Sequence, residues 1–100
     1  MYARLVSGQT SIDKVTEAIR IWKEQDTPLL KSAKGYRGSF LFTDRKTGKA
    51  MSITFWDSEA EAIADQQSAT HKKQENMYKD LMSPGEFKYQ LYELSARDKM

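Results

Sequence analysis

The stretch from Gly35 to Glu61 constrains this chain more than any other segment. Tyr36 to Thr43 and Ala50 to Trp56 are short runs rich in β-branched and aromatic residues, the composition of strands. Between them Asp44-Arg-Lys-Thr-Gly-Lys49 carries Gly48, whose missing Cβ allows the left-handed backbone that closes a hairpin. Asp57-Ser58 follows at once, with Glu61 three residues after Ser58, the spacing of a capping box at a helix start. Strand, turn, strand and helix entry thus succeed one another without slack.

The flanks extend the pattern. Tyr2 to Gly8 reads as a first strand that leaves on a glycine. Thr10 or Ser11 is placed to cap a long helix, with Asp13 near its positive end. Ile12, Val15, Ile19 and Trp22 recur at helical spacing and define its apolar stripe. Pro28 lacks a backbone donor, which predicts a kink or break at Thr27 and a short second piece through Lys34, ended by Gly35. A second helix is expected from about Glu59 to Met82, stopped by Pro84-Gly85, and a last strand from Glu86 to Leu94. Arg97 to Met100 reads as a frayed tail. Right-handed crossovers then give an α+β, ferredoxin-like βαββαβ chain: a four-stranded antiparallel sheet with both helices on one face.

Composition limits what such a chain can do. One hundred residues make one domain, spanning residues 1–100. No apolar run approaches the roughly 20 residues of a membrane span. The start Met-Tyr-Ala-Arg-Leu-Val lacks the apolar middle of a signal peptide, so a cytoplasmic location is expected. With no cysteine there is neither a disulfide nor a thiolate metal site. The 16 basic and 14 acidic residues are interspersed, without the clustered stripe that binding a phosphate backbone requires. Arg37-Gly-Ser-Phe-Leu-Phe42 echoes the aromatic signature of RNA-recognition modules, but that signature belongs on the third strand, and here it lies on the second.

A sheet covered on one side should alternate apolar and polar residues. These strands do not. Tyr36, Phe40 and Phe42 oppose Leu41 in the second strand. Met51, Ile53 and Phe55 oppose Ala50, Thr54 and Trp56 in the third, and Phe87, Tyr89 and Leu91 oppose Tyr92 and Leu94 in the last. A second apolar face left in water would exceed what monomers ordinarily expose. The expectation is a homodimer in which two sheets pack on each other about a two-fold axis.

The turn Thr47-Gly48-Lys49-Ala50, the strand Ser52-Ile53-Thr54-Phe55-Trp56 and the helix entry Asp57-Ser58-Glu59-Ala60 together resemble the antibiotic biosynthesis monooxygenase type of dimeric α+β barrel. The resemblance covers roughly Tyr2 to Ser95. It implies two sheets packed as a dimeric α+β barrel, with a small, mostly apolar cavity between helices and sheet in each subunit. That superfamily includes cofactor-free quinone-forming monooxygenases, haem-degrading enzymes and lactone isomerases. The haem-degrading members pair an Asn on the first strand with a Trp and a His on the second helix. Here the first strand carries Ser7 and no Asn, and the second helix no Trp, so haem degradation is not expected.

Candidate site residues follow from position. His71 is the only histidine. Counted from Ala60 at helical spacing, Ile63, Ala64, Gln67, His71, Gln74, Tyr78 and Met82 share one face, polar for a stripe that looks at a sheet. Buried polar groups need partners, so the stripe points to a cavity holding water or ligand, unless the helix is rotated and His71 sits at a solvated margin. Trp56 closes the third strand, where its ring either stacks on a flat ligand or plugs the strand–helix corner. Arg4 stands mid-strand beside Tyr2 and Val6. It either holds a carboxylate or phenolate, or pairs with a carboxylate such as Glu17 or Glu93, or simply lies exposed at the surface. Ser52 and Thr54 offer mid-strand hydroxyls. One histidine without a second base argues against a serine hydrolase, and one histidine without a placed carboxylate pair argues against a metal.

Two readings follow. In the first, the chain is a cofactor-independent monooxygenase acting on a small planar aromatic or quinol-type substrate, with His71, Arg4 and Tyr78 stabilising the phenolate and Trp56, Gln67, Gln74, Ser52 and Thr54 binding the ring. In the second, it is a small-ligand-binding or accessory homodimer without turnover.

Overall fold

The computed structural model describes residues 1–82 and 87–99. Four strands form one antiparallel sheet: β1 (Tyr2–Gln9), β2 (Tyr36–Thr43), β3 (Lys49–Trp56) and β4 (Lys88–Glu93), in the order β2-β3-β1-β4. That is the ferredoxin-like order, with the first and third strands central and antiparallel throughout. The expected start of the last strand, Glu86, lies outside the described residues; Leu94 lies just past β4. The β2–β3 hairpin closes as its sequence requires. Gly48 adopts φ +80°, and its carbonyl accepts from Thr10 N at 2.8 Å, tying the turn to the end of β1.

The first helical segment departs from expectation at both ends. Ile12–Lys14 is a 3₁₀ turn and Ile12 is exposed, so the buried stripe of α1 (Val15–Ile21) is Val15, Ala18 and Ile21. Pro28 causes no break. Trp22–Asp26 widens into a π turn, in which Thr27 N–H donates to Trp22 O, and α2 (Thr27–Leu30) continues from it. The wider turn accommodates a ring that would otherwise crowd the carbonyl four residues earlier. The short second piece ends at Leu30, and Gly35, at φ +84°, turns the chain into β2.

The second helix is two helices. Ser58 caps α3 (Glu59–Gln66): its Oγ accepts from Glu61 N at 3.2 Å and donates to Glu61 Oε1 at 3.0 Å. The chain then breaks at Gln67, and Ser68 caps α4 (Ala69–Asn76), its Oγ accepting from His71 N at 3.1 Å. No helix among the described residues is long and apolar enough to cross a membrane.

Both helical layers cover one sheet face. Trp56, fully buried, anchors that side with Leu30 and Ala62, and Tyr36 meets its ring edge-on at 5.7 Å. A second cluster joins Ala18, Ile21 and Leu81. A bulge between Tyr36 and Gly38 shifts the register of β2. Tyr36 therefore pairs with Trp56 on the helix side, while Phe40 and Phe42 lie with Ile53 and Met51 on the other. This corrects the simple alternation that put Tyr36, Phe40 and Phe42 together. Phe40, Phe42 and Tyr92 on the open face are about half exposed, at 50%, 51% and 54%.

Candidate active site

Arg4 occupies the middle of β1, flanked by Thr54 on β3 and Leu91 on β4, and is only 2% exposed. A guanidinium so placed must be paired. Its Nη2 lies 3.0 Å from Asp65 Oδ2 and its Nη1 donates to Ala62 O at 3.1 Å, both on α3. The guanidinium carbon sits 5.0 Å above the Trp56 ring. The partner is thus Asp65, not Glu17 or Glu93. Trp56 donates to Thr54 Oγ1 at 2.8 Å and packs beneath Arg4. It does not line the cavity, which makes it the corner plug.

That cavity, of about 100 Å³, lies between the helices and the sheet. It is comparable to an engineered void of ~150 Å³ that takes up benzene. A single ring fits that scale. Val6, Ala18, Leu30, Leu41 and Met82 give it apolar walls; Arg4, Asp26, His71, Gln74, Tyr78 and Tyr89 contribute polar groups, with Ser52 and Thr54 on the floor.

The capped start of α4 sets where His71 and Gln74 point, and both are buried. His71 Nε2 is 2.8 Å from Tyr89 Oη, and Tyr89 donates to Glu75 Oε2 at 2.5 Å. A phenol has one proton to give, so with Tyr89 donating to Glu75, His71 Nε2 must be the donor in the first bond. Nδ1 then carries the ring's lone pair, 3.9 Å from Asp65 Oδ2. Burial pushes the His71 pKa below its ordinary value, and the Arg4 charge adds to the shift. The imidazole is neutral at pH 7, a proton acceptor.

A second polar group lies on the helical side. Asp26, at the end of the π turn, accepts from Tyr78 Oη at 2.6 Å and from Gln74 Nε2 at 2.8 Å. Burial raises the Asp26 pKa while those two donors oppose the rise. Burial, with Asp26 beside one and Glu75 beside the other, holds Tyr78 and Tyr89 well above the ordinary phenol range, so both stay protonated. Arg4 Nε, Trp22 Nε1 and Gln74 Oε1 are buried without a hydrogen-bond partner among the described residues.

Of the residues singled out in the sequence, Arg4, His71, Gln74, Tyr78, Ser52 and Thr54 come together at one cavity. Gln67 does not: it is exposed at the α3–α4 break, as are Ile63 and Ala64. The break changes the helical phase, so α3 turns Ala62 and Asp65 inward instead. Asp26, Asp65, Glu75 and Tyr89 escaped the sequence reading. Tyr89 alone carried a signal there, on the inward face of the last strand.

A four-stranded ferredoxin-like sheet with a largely apolar cavity, carrying a few polar groups, under its helices defines a small α+β fold. Solved structures share that fold over nearly the whole chain. The “putative antibiotic biosynthesis monooxygenase” of Nitrosomonas europaea aligns at a TM-score of 0.75 with 13% identity, covering 96% of this chain and all of its own. Its Bordetella bronchiseptica namesake aligns at 0.79 with 13% identity, covering 95% and 97%. SnoaB from Streptomyces nogalater, a cofactor-independent oxygenase crystallised as a mutant, aligns at 0.72 with 7% identity over 96% and 94%. The chain has the fold of the antibiotic biosynthesis monooxygenase-like proteins. No family model and no curated protein sequence matches it.

Proposed function

We propose that this chain is a cofactor-independent monooxygenase acting on a small planar phenol or quinol. The observation that carries the reading is the neutral His71, fixed by Tyr89 with Nδ1 as its acceptor, on an otherwise largely apolar cavity that also holds Arg4. His71 takes the phenol proton, and the Arg4 guanidinium offsets the phenolate charge in a medium where such offsets are strong. The electron-rich ring then reacts with dioxygen. One oxygen atom bonds to a ring carbon; the other leaves as water with the ring hydrogen from that carbon and the phenol proton. The phenol becomes a quinone, and its four electrons reduce the dioxygen. No bound group is needed, and SnoaB carries that description on the same fold. Tyr78 acts by holding Asp26, since its own proton is already donated there.

The working unit in this reading is a cytoplasmic homodimer. Leu5, Phe40, Phe42, Ile53, Phe55 and Tyr92 make the open sheet face apolar, and a twin sheet covers it. Light scattering at micromolar concentration should give twice the chain mass, and Phe42→Lys should shift it toward the single chain.

Oxygen uptake with simple phenols and quinols tests the chemistry. One dioxygen should be consumed per quinone, with ¹⁸O₂ labelling one carbonyl and one water, and His71→Ala should slow turnover about 100-fold or more. Absence of uptake across the series would leave the second reading, a binding or accessory dimer. That reading is favoured by one observation: both cavity phenols already give their protons to Asp26 and Glu75.

A further inference from the structure

His71, Tyr89 and Glu75 form a hydrogen-bonded chain from the buried imidazole to a carboxylate that is only partly buried. The Tyr89 ring meets the His71 ring edge-on, 5.5 Å between centroids, with its hydroxyl 2.8 Å from Nε2 and 2.5 Å from Glu75 Oε2. His71 and Glu75 are four residues apart on α4 and so share a helix face, and β4 brings Tyr89 to both. Each link has one proton and one acceptor: Nε2–H to Oη, then Oη–H to Oε2. The chain answers a difficulty in using His71 as a base. Arg4 Nη2 and His71 Nδ1 both lie on Asp65 Oδ2, at 3.0 and 3.9 Å, so an imidazolium would be a second buried cation beside the guanidinium. Asp65 has one negative charge, and Arg4 already holds it. The groups that face His71 are Arg4 from β1, Asp65 from α3, Glu75 from α4 and Tyr89 from β4. Of its two carboxylates, Glu75 is the one in no ion pair among the described residues.

We propose that Glu75 stores the substrate proton, acting through Tyr89 and His71. As His71 Nδ1 takes the phenol proton, Nε2 passes its own to Tyr89 Oη, and Tyr89 passes its own to Glu75 Oε2. The bonds broken are the substrate O–H, the Nε2–H and the Tyr89 O–H; those formed are Nδ1–H, a new Tyr89 O–H and a carboxyl O–H. Within the protein only Glu75 changes charge, from carboxylate to neutral acid, while the substrate becomes the phenolate. The imidazole stays neutral in its other tautomer, and no second cation arises beside Arg4. When the departing oxygen becomes water, the three transfers run backward and the chain regains its starting arrangement. The proton thus ends in the water that the oxygenase reading requires, and the proposal rests on that reading's use of His71 as the base. Glu75 and Tyr89 are positioning residues for that proton.

Infrared difference spectra of the protein with and without 4-nitrophenol, recorded without oxygen, read the stored proton apart from turnover. The bound probe should absorb as the coloured phenolate, while the carbonyl band of a protonated carboxyl appears and shifts when glutamate is isotopically labelled. An imidazolium signature without that band, a probe bound as the neutral phenol, or no binding at all overturns the proposal. This measurement on the unaltered chain stands even where a variant fails to fold. Glu75→Gln keeps an oxygen for Tyr89 but cannot take the proton; Tyr89→Phe keeps the ring and cuts the chain. Each should lower the phenolate-to-phenol ratio of the bound probe about tenfold at fixed pH, and the double variant no further, because linked residues act as a unit. A purely structural role would instead weaken binding of nitrobenzene, which has no proton to give, and leave the ratio unchanged. An unchanged ratio in Tyr89→Phe alone would mean that Glu75 acts on His71 only through space, and it too overturns the relay. The stored proton without oxygen uptake would refute the oxygenase chemistry and leave the relay standing; uptake without the glutamic acid band would do the reverse.

Discussion

Removing the Arg4 charge should destabilise the protein more than any surface change, and the structure lets the cost be worked out. Arg4 and Asp65 are almost entirely buried, their side chains 3% and 7% exposed. Arg4→Met preserves the aliphatic length of the side chain and strands the Asp65 carboxylate in the interior. Breaking one side of such a pair costs about 3–5 kcal/mol, and loss of the guanidinium over Trp56 adds about 1 kcal/mol. For a domain whose total stability is ~5–15 kcal/mol, that is a large share. With a urea dependence of about 2 kcal/mol per molar, the midpoint should fall by roughly 2–3 M. Asp65→Leu alone strands Arg4 and should cost a similar amount. The double variant Arg4→Met with Asp65→Leu removes both charges and should recover to within about 1–2 kcal/mol of the native chain, because apolar replacements of buried pairs are often neutral. Urea unfolding of all four proteins closes the cycle. A double variant as unstable as the sum of the singles would refute the idea that the stranded charge is the cost. So would an Arg4→Met chain within about 1 kcal/mol of native, by the same measure.

The pH profile should carry the His71 signature. Its folded pKa lies below the ordinary 6.5, so the unfolded chain binds a proton that the folded chain refuses. Stability is therefore complete above about pH 6.5 and falls as the pH drops below it; His71→Gln should flatten this limb in urea titrations from about pH 7 to 5. Asp26, whose pKa is raised, acts in the opposite sense: the unfolded chain ionises it first, so stability is lost as the pH climbs from the ordinary 3.8 through that raised value, and Asp26→Asn should gain most at neutral pH and least near about pH 4. Ser68→Ala removes the cap of the helix that carries His71 and Gln74, and should lower stability by about 1 kcal/mol, some 4–8 °C in melting temperature. Gly48→Ala drives a Cβ into the Thr10 carbonyl oxygen at a φ of +80°. It should cost at least about 2 kcal/mol, and a melting temperature unchanged within about a degree would contradict the hairpin description.

The fold was legible because its strands are short, strongly β-forming and bounded by turn residues. Gly48 and the Ser58–Glu61 pair mark the hairpin and the helix entry locally, and both behave as their chemistry requires. The site was legible in part. Arg4, His71, Gln74 and Tyr78 stood out as polar residues at inward positions, but the helical count ran through Gln67 without a break. Ser68 serves as a cap only because the chain there gives up helical geometry for extended backbone, at ψ 157°. Nothing nearby in the sequence announces that choice. Nor does any local pattern join Arg4 to Asp65 or Tyr78 to Asp26; those contacts exist only once the helices pack. Pro28 signalled an irregularity and left open which kind, since a break and a widened turn both relieve the same clash.

The irregularity near Gly38 lets one strand serve two masters. Because the ladder slips there, the residues before it are chosen for their fit against the Trp56 anchor, and those after it are chosen, in alternation, for the cavity under the helices and for the bare side of the sheet. Leu41 and Thr43 can change to reshape the cavity while Phe40 and Phe42 keep the bare side intact, and neither change disturbs the Tyr36–Trp56 contact. Excising a single residue at the slip would abolish that independence, sending either Tyr36 outward or the two phenylalanines inward.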